Sequence, residues 1–111
     1  MTYSDNTLLS MAELNENLAG ISNWNLEDNG KSIVKNFEFA NFKEAVFFAN
    51  RIAGITEVEN HYPEIKIYDS NKIRIKLTTP SVDGLTKKDF DFALKIDGLK
   101  NPLATDSSET A

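Results

Sequence analysis

The chain alternates between a helical and an extended pattern of apolar positions. Near its start, apolar residues spaced by three and four predict a helix over residues 6–20. The apolar stripe of this helix consists of Leu8, Met11, Leu14 and Leu18. Ser10 and Glu13 have the spacing of a capping box, and Gly20 is suited to a left-handed helix stop. The first element is therefore predicted to be a short amphipathic helix.

Two extended segments follow, and strong turn residues join them. The first extended segment covers residues 24–26, and the second covers residues 32–39 with charged and apolar positions alternating from Lys35 onward. Between them, Asp28-Asn29-Gly30 accepts the positive φ that a tight hairpin turn requires. The pattern predicts a β-hairpin, and Trp24 is expected to be a core residue rather than a stacking platform.

A long apolar helix is predicted next. Asn41 and Glu44 mark its start, and the helix is expected to run to about Val58. Its apolar positions are spread widely around the circumference: Phe42, Ala45, Val46, Phe47, Phe48, Ala49, Ile52, Ala53 and Val58. A helix this apolar usually contacts more than one layer. We therefore expect its apolar face to reach a subunit interface as well as the core.

The last part of the chain predicts a second hairpin and a third helix. Residues 65–68 and 72–78 alternate as strands around a turn at residues 69–71. In the second strand, the charged side chains of Lys72, Arg74 and Lys76 share one face, which we interpret as a solvated face. Capping spacing at residues 86–89 opens a helix to about Leu99.

These elements predict one α+β domain over residues 1–99, followed by a flexible tail over residues 100–111. The order α-β-β-α-β-β-α, with strands in hairpins, predicts a four-stranded antiparallel sheet with helices packed on one face. Such a sheet leaves its edges bare, so a homodimer that pairs edges is expected.

Composition narrows the chemistry. The chain has 111 residues, no cysteine, one histidine and a formal charge of −5. Thiol chemistry, Cys-based metal sites and a His-rich zinc site within one chain are excluded, and the acidic balance disfavours nucleic acid. No apolar run approaches the roughly 20 residues that span a membrane, and the start lacks a secretory signal pattern. A cytoplasmic protein without membrane contact is expected.

The single histidine, His61, lies where the second helix gives way to a strand. Taken alone, it is most simply a helix-terminal histidine that complements the helix dipole. The functional alternative is a general acid or base exposed to a cleft, with the flanking glutamates orienting it. Tyr62 can donate a hydrogen bond to a ligand or simply pack, and Pro63 fixes the exit from the helix. Asp89 is first a helix-cap residue and only then a site residue.

Several spaced blocks of residues, taken together from about Leu14 to Leu99, resemble the pterin-4a-carbinolamine dehydratases. The blocks are Trp24, Phe37-Glu38-Phe39-Ala40-Asn41-Phe42, Ala45, Phe48, His61-Tyr62-Pro63-Glu64, Leu77-Thr78-Thr79, Gly84-Leu85-Thr86-Lys87-Lys88-Asp89, Ala93 and Ile96-Asp97. The resemblance implies dimers that join sheets, or tetramers formed through helices. It also implies dehydration of a 4a-hydroxytetrahydropterin to a quinonoid dihydropterin.

The resemblance implies a degenerate active site. The family has a histidine pair before the proline and a third histidine before the Gly-Leu-Thr block; these positions fall on His61, Tyr62 and Pro80. The implied catalytic residues are His61, Tyr62 and Asp89. The implied substrate-binding residues are Glu57, Pro63, Thr79 and Pro80. No metal and no cofactor is expected.

Two functions remain open at this point. The first is a dehydratase whose activity is weakened or lost, acting on a pterin. The alternative is a non-enzymatic assembly protein with a protein client, such as the Rubisco assembly factors that resemble these dehydratases.

Overall fold

The computed structural model describes residues 7–99, which form three α-helices and four strands in the predicted order. The elements are α1 (Met11–Leu18), β1 (Asn25–Glu27), β2 (Ser32–Glu38), α2 (Phe42–Glu59), β3 (Glu64–Tyr68), β4 (Lys72–Leu77), a 3-10 turn (Pro80–Val82) and α3 (Lys87–Leu99). The tail predicted at residues 100–111 lies outside the described residues.

The four strands form one antiparallel sheet in the order β1-β2-β4-β3. Each hairpin contributes an outer and an inner strand, and the inner strands pair through residues 33–38 of β2 and 72–77 of β4. Helix α2 packs against β3, β4 and α3. The predicted fold class is confirmed: an α+β domain with a four-stranded antiparallel sheet and helices on one face.

The two faces of the sheet differ sharply in polarity. On the helix-covered face, Ile33 pairs with Leu77 and Ile65 pairs with Ile75. On the open face the charged residues of β4 meet acidic partners: Lys76 contacts Asp28 at 2.7 Å, Lys72 contacts Asp69 at 3.4 Å, and Arg74 contacts Glu27. The prediction of a solvated charged face on β4 agrees with this arrangement, because its cations are half-exposed.

One charged residue lies on the helix-covered face. Lys35 is in register with Ile75, and its ammonium group donates to Asp97 of α3 at 2.8 Å. The same carboxylate accepts from the indole Nε1 of Trp24 at 3.1 Å, and Trp24 is buried as predicted. A nearly buried cation needs such a partner, so this contact holds the end of α3 against the sheet.

Helix α2 buries a narrower stripe than its composition predicts. Its buried residues are Ala45, Phe48, Ile52 and Thr56, spaced by three and four. The prediction that Phe42, Val46, Phe47, Ala53 and Val58 extend the core-facing stripe is wrong for this chain, where all of them are exposed. The reason is geometric: the sheet and α3 together cover only one side of α2.

Helix α1 is shorter than predicted and is held mainly by one side chain. It begins at Met11, after the predicted capping box between Ser10 and Glu13. Of the predicted stripe, Leu14 is buried and Leu18 is half-buried, whereas Leu8 and Met11 are exposed, so that part of the prediction is wrong. The predicted left-handed stop at Gly20 is also wrong, because α1 ends at Leu18 and its C-cap residue Ala19 is right-handed, with φ −64°.

The first hairpin turns as its sequence predicts. Asp28, Asn29 and Gly30 all have positive φ, at 54°, 58° and 84°. Asp28 also accepts from Lys76 and Ser32, and these hydrogen bonds, that of Lys76 first, hold the pKa of Asp28 below its ordinary value of 3.8. The turn is therefore fastened to the sheet by an ionised carboxylate.

We predict that Asp28→Asn reduces the pH dependence of folding stability at the acid end. Because the pKa of Asp28 is lowered in the folded state, its contribution is present above pH of about 4 and is lost as the pH falls through the folded-state pKa. Asparagine tolerates the left-handed turn, so backbone strain is not introduced. Urea unfolding at neutral and acid pH measures the effect, with Asp91→Asn as the control. An unchanged difference between the two pH values would contradict the prediction.

Candidate functional site

The corner after α2 is set by a left-handed residue. Asn60 has φ 54° and ψ 43°, and its N–H donates to Thr56 O at 2.9 Å. Asparagine is one of the few residues that adopts this conformation readily, and it ends helices for that reason. The chain leaves the helix axis at once, which places His61 against the beginning of α3.

His61 is held by a buried carboxylate. Its Nε2 lies 2.7 Å from Oδ1 of Asp89, whose side chain is completely buried in the first turn of α3. The second oxygen, Oδ2, accepts from the hydroxyl of Thr79 at 2.7 Å and from the N–H of Thr86 at 3.0 Å. A buried carboxylate requires such donors, because an unpaired one is very costly. Asp89 is therefore both the helix cap and the anchor of the imidazole.

This hydrogen bond also assigns the histidine nitrogens. When the carboxylate of Asp89 accepts this hydrogen bond, Nε2 of His61 is the donor, and in the uncharged form of the ring Nδ1 keeps the lone pair. On another side, the imidazole lies 6.0 Å from the ring of Phe92. Nδ1 is the nitrogen left for a ligand or for proton transfer.

A small cleft of about 260 Å³ opens beside this pair. Its lining consists of Asn60, His61, Tyr62, Thr79, Pro80, Ser81 and Lys88. This volume is slightly below the range of about 300–1,000 Å³ that is typical of ligand sites, so the cleft can hold a small ligand or one part of a larger ligand. The expectation of an exposed imidazole needs correction: His61 is only 8% exposed, because Asp89 draws it inward, although its ring still forms part of the cleft wall.

The loop after β4 is fixed in place beside the cleft. Thr79 and Gly84 pair through their backbones, with a short bond of 2.8 Å from Thr79 N–H to Gly84 O. Leu8 packs so closely that a Cβ on Gly84 would lie 2.5 Å from its Cδ1 atom. The ammonium group of Lys31 also forms an ion pair with the carboxylate of Asp83, with an N–O distance of 2.9 Å. Backbone pairing and the contact with Leu8 therefore hold this loop beside the cleft.

The structure brings most of the predicted site residues together. Among the described residues, the cleft lining includes His61, Tyr62, Thr79 and Pro80, with Asp89 directly behind. Glu57 is exposed on the last turns of α2, Pro63 is half-buried, and neither lines the cleft. The substrate-binding roles of Glu57 and Pro63 stay predictions.

Four residues at the cleft or beside Asp89 were not identified as site residues from the sequence: Asn60, Ser81, Thr86 and Lys88. Asn60 carried a readable signal, because asparagine after the last helical turn often ends a helix. Lys88 and Ser81 carried none, since a lysine in a capping segment and a serine in a loop are ordinary surface residues. Only the packing of α3 against the loop brings them to the cleft.

Two other hollows of about 350 Å³ offer less chemistry. One is lined by Glu59, Asp91, Leu94 and Lys95, and the other by Phe42, Lys43, Val46, Phe47 and Asn50. Within residues 7–99 there is no cluster of three acidic, histidine or cysteine side chains arranged to hold a metal ion. Over the same span, none of the helices has both the length and the hydrophobicity needed to cross a bilayer.

The sheet, His61 at the corner after α2 and Asp89 at the start of α3 together characterise a class of proteins. We identified this class by comparing the chain with known protein families. Residues 7–99 match the model of the family described as pterin 4 alpha carbinolamine dehydratase. The match covers almost all of the chain, so this protein belongs to that family.

Curated relatives and solved structures agree with this assignment. A candidate pterin-4-alpha-carbinolamine dehydratase of Chloroflexus aggregans is 45% identical over 89 residues, covering 80% of this chain and 93% of the relative. One from Sulfurisphaera tokodaii is 41% identical over 91 residues, covering 82% and 95%. The crystal structure of a transcriptional coactivator/pterin dehydratase from Brucella melitensis superposes with a TM-score of 0.80 at 28% identity, covering 86% of this chain and all of that one.

A more distant structure shares the fold alone. It is a pterin dehydratase-like protein identified as a RuBisCO assembly factor in the alpha-carboxysome, with a TM-score of 0.59 and 19% identity. The superposition covers 68% of this chain and 87% of the chain of that assembly factor. At this identity the likeness concerns architecture and not activity.

We predict that Thr79→Val destabilises the fold by about 1.5–3 kcal/mol, the usual value of a hydrogen bond to a charged group. Valine keeps the shape of the side chain but removes the hydroxyl that donates to Asp89. Thr79→Ser is the matched control: it keeps the hydroxyl and loses one methyl group, worth about 0.8 kcal/mol. Denaturant unfolding measures both variants. A Thr79→Val protein as stable as Thr79→Ser would show that this donor does not support the carboxylate.

Proposed function

We propose that this protein dehydrates a 4a-hydroxytetrahydropterin to a quinonoid dihydropterin and water, at a reduced rate and in the cytoplasm. The observation that carries the proposal is the hydrogen bond between His61 and the buried Asp89 in the wall of a small cleft. It gives the chain an oriented imidazole at the place where its family resemblance puts a catalytic histidine.

The reaction breaks the C4a–O bond and removes the proton on N5 of the pterin. In the proposal, Nδ1 of His61 takes up a proton from solvent and delivers it to the 4a-hydroxyl, which leaves as water; the proton on N5 then passes to solvent, so no net proton is consumed. Asp89 holds the ring in one orientation and stabilises the positive charge that the imidazole acquires. The phenolic hydroxyl of Tyr62 donates to the pterin from the exposed side of the cleft.

The reduced rate follows from the missing imidazoles. Tyr62 and Pro80 occupy positions where the family resemblance implies histidines. Each positioned acid or base contributes on the order of 10²–10⁴-fold in rate. Tyrosine, with a pKa near about 10, donates a proton but is a poor base at neutral pH, and proline has no side-chain proton at all.

We predict that wild-type protein accelerates dehydration of a freshly generated 4a-hydroxytetrahydropterin, followed by stopped-flow absorbance, and that His61→Ala removes most of this acceleration. The expected loss is about 10²-fold or more, because the proton-transfer group is gone. Lys87→Gln, on α3 but outside the cleft lining, is the control and is expected to match wild type. Wild-type protein that adds nothing to the spontaneous rate would overturn the proposal.

The second candidate function is a non-enzymatic assembly role with a protein client. The observation that favours it is the exposed apolar patch on α2, in which Phe42 is 56% and Phe47 is 59% exposed. Exposed aromatic residues of this kind are typical of protein interfaces. The same patch suits a tetramer of this chain, and the outer strands β1 and β3 suit a homodimer through sheet edges.

We predict that Phe47→Asp distinguishes a protein client from a second copy of this chain as the partner that binds the α2 patch. A charged residue in the patch is expected to lower the oligomeric state measured by light scattering if copies of this chain meet there. If a client binds there, the variant is expected to lose that client in a pull-down from native extract while keeping its own oligomeric state. Met11→Asp, also exposed but on α1, is the control. A native pull-down that returns no partner would rule out the assembly role.

A further inference from the structure

The cleft beside His61 contains a cation without a protein partner. Lys88 lines the cleft and, within the described residues, its ammonium group forms no hydrogen bond or ion pair. Its neighbours on α3 behave differently: Lys87 pairs with Asp91 at 3.4 Å, and Lys95 pairs with Glu59 at 2.9 Å. Acidic partners are thus available along this helix, and the lysine that faces the cleft is the one left unpaired.

The cleft lining also lacks any carboxylate. It is made of amide, imidazole, hydroxyl and proline groups together with the ammonium of Lys88. Asp89 lies behind the wall, and its two oxygens are occupied by His61, Thr79 and Thr86. The hollow beside Phe42 and Lys43 also has one lysine and no carboxylate in its lining, but among the described residues only the cleft beside His61 combines such a lysine with an imidazole held by a buried carboxylate. A ligand that enters the cleft meets the ammonium group of Lys88 and no carboxylate in the lining.

We infer that Lys88 is a specificity-determining residue that binds an anionic group, a phosphate or a carboxylate, on the side chain of a pterin held against His61. The inference rests on the proposed function and names the substrate class for the same site. The pterin ring is uncharged at neutral pH, so its side chain must carry the negative charge that Lys88 recognises. The half-exposed position of Lys88 leaves the interaction sensitive to salt.

Calorimetric titration with matched pairs of ligands tests this inference. The pairs are neopterin with neopterin monophosphate, and 6-methylpterin with pterin-6-carboxylate; inorganic phosphate alone is a further ligand. We expect wild-type protein at low salt to bind the anionic member of a pair about tenfold more tightly, the scale of a partly screened charge-assisted hydrogen bond. The ratio of the two affinities should fall at high salt and approach one in Lys88→Gln. Lys87→Gln and Lys88→Arg are expected to keep the ratio of the wild-type protein.

The outcomes separate this inference from the dehydratase proposal. Equal affinity of wild-type protein for both members of each pair, or a preference that persists in Lys88→Gln, overturns the inference. Inorganic phosphate that binds as tightly as neopterin monophosphate also overturns it, because the ring then adds nothing. A Lys88-dependent preference without any turnover supports the inference and removes only the dehydratase activity. Failure of every pterin to bind overturns both.

Discussion

The fully buried carboxylate of Asp89 is the constraint on which the functional side of this protein depends. A charge removed from water is stable only when donors surround it. Here the donors come from the loop after β4, from the start of α3 and from the corner after α2, through Thr79, Thr86 and His61. The corner after α2 is thereby fixed against the loop after β4 and the adjoining start of α3, although His61 and Asp89 are 28 positions apart in the chain. The orientation of the imidazole is a consequence of satisfying the buried charge.

Most cations of the described residues have acidic partners, whereas the side chains of Lys43, Lys66 and Lys88 form no hydrogen bond or ion pair. On the open face of the sheet, the cations of β4 pair with acids from neighbouring turns and strands. On the covered face, Lys35 is neutralised by Asp97. Against this background, Lys88 in the cleft and the apolar patch on α2 are groups without an internal partner. They are the places where a ligand and a second protein surface are expected to contact the molecule.

This protein has the family scaffold, but the described sequence carries other residues at two positions where the resemblance implies histidines. The sheet, the corner and the aspartate beneath the histidine remain, and they hold one imidazole in place. The resemblance implies further imidazoles at positions 62 and 80. Tyr62 instead offers a hydroxyl that can donate a hydrogen bond, and Pro80 offers no side-chain donor or acceptor. A fold does not determine its function, so the same scaffold supports either slow catalysis or binding. What decides between them is whether one oriented proton-transfer group is sufficient.

The sequence by itself determined the elements of this fold. The alternation in β2 and β4, the capping box at Ser10, and the Asp-Asn-Gly turn act over a few residues, so their patterns are readable locally. The family resemblance then supplied His61 and Asp89 as site residues, but not the contact between them.

Only the tertiary structure decided which side of α2 is covered, how deeply His61 is buried, and that Lys88 reaches the cleft. Apolar residues such as Phe42 and Val58 look alike in sequence whether a neighbour covers them or not. Burial and cleft formation depend on contacts between residues far apart in the chain, and a local pattern contains no information about which partner occupies which face.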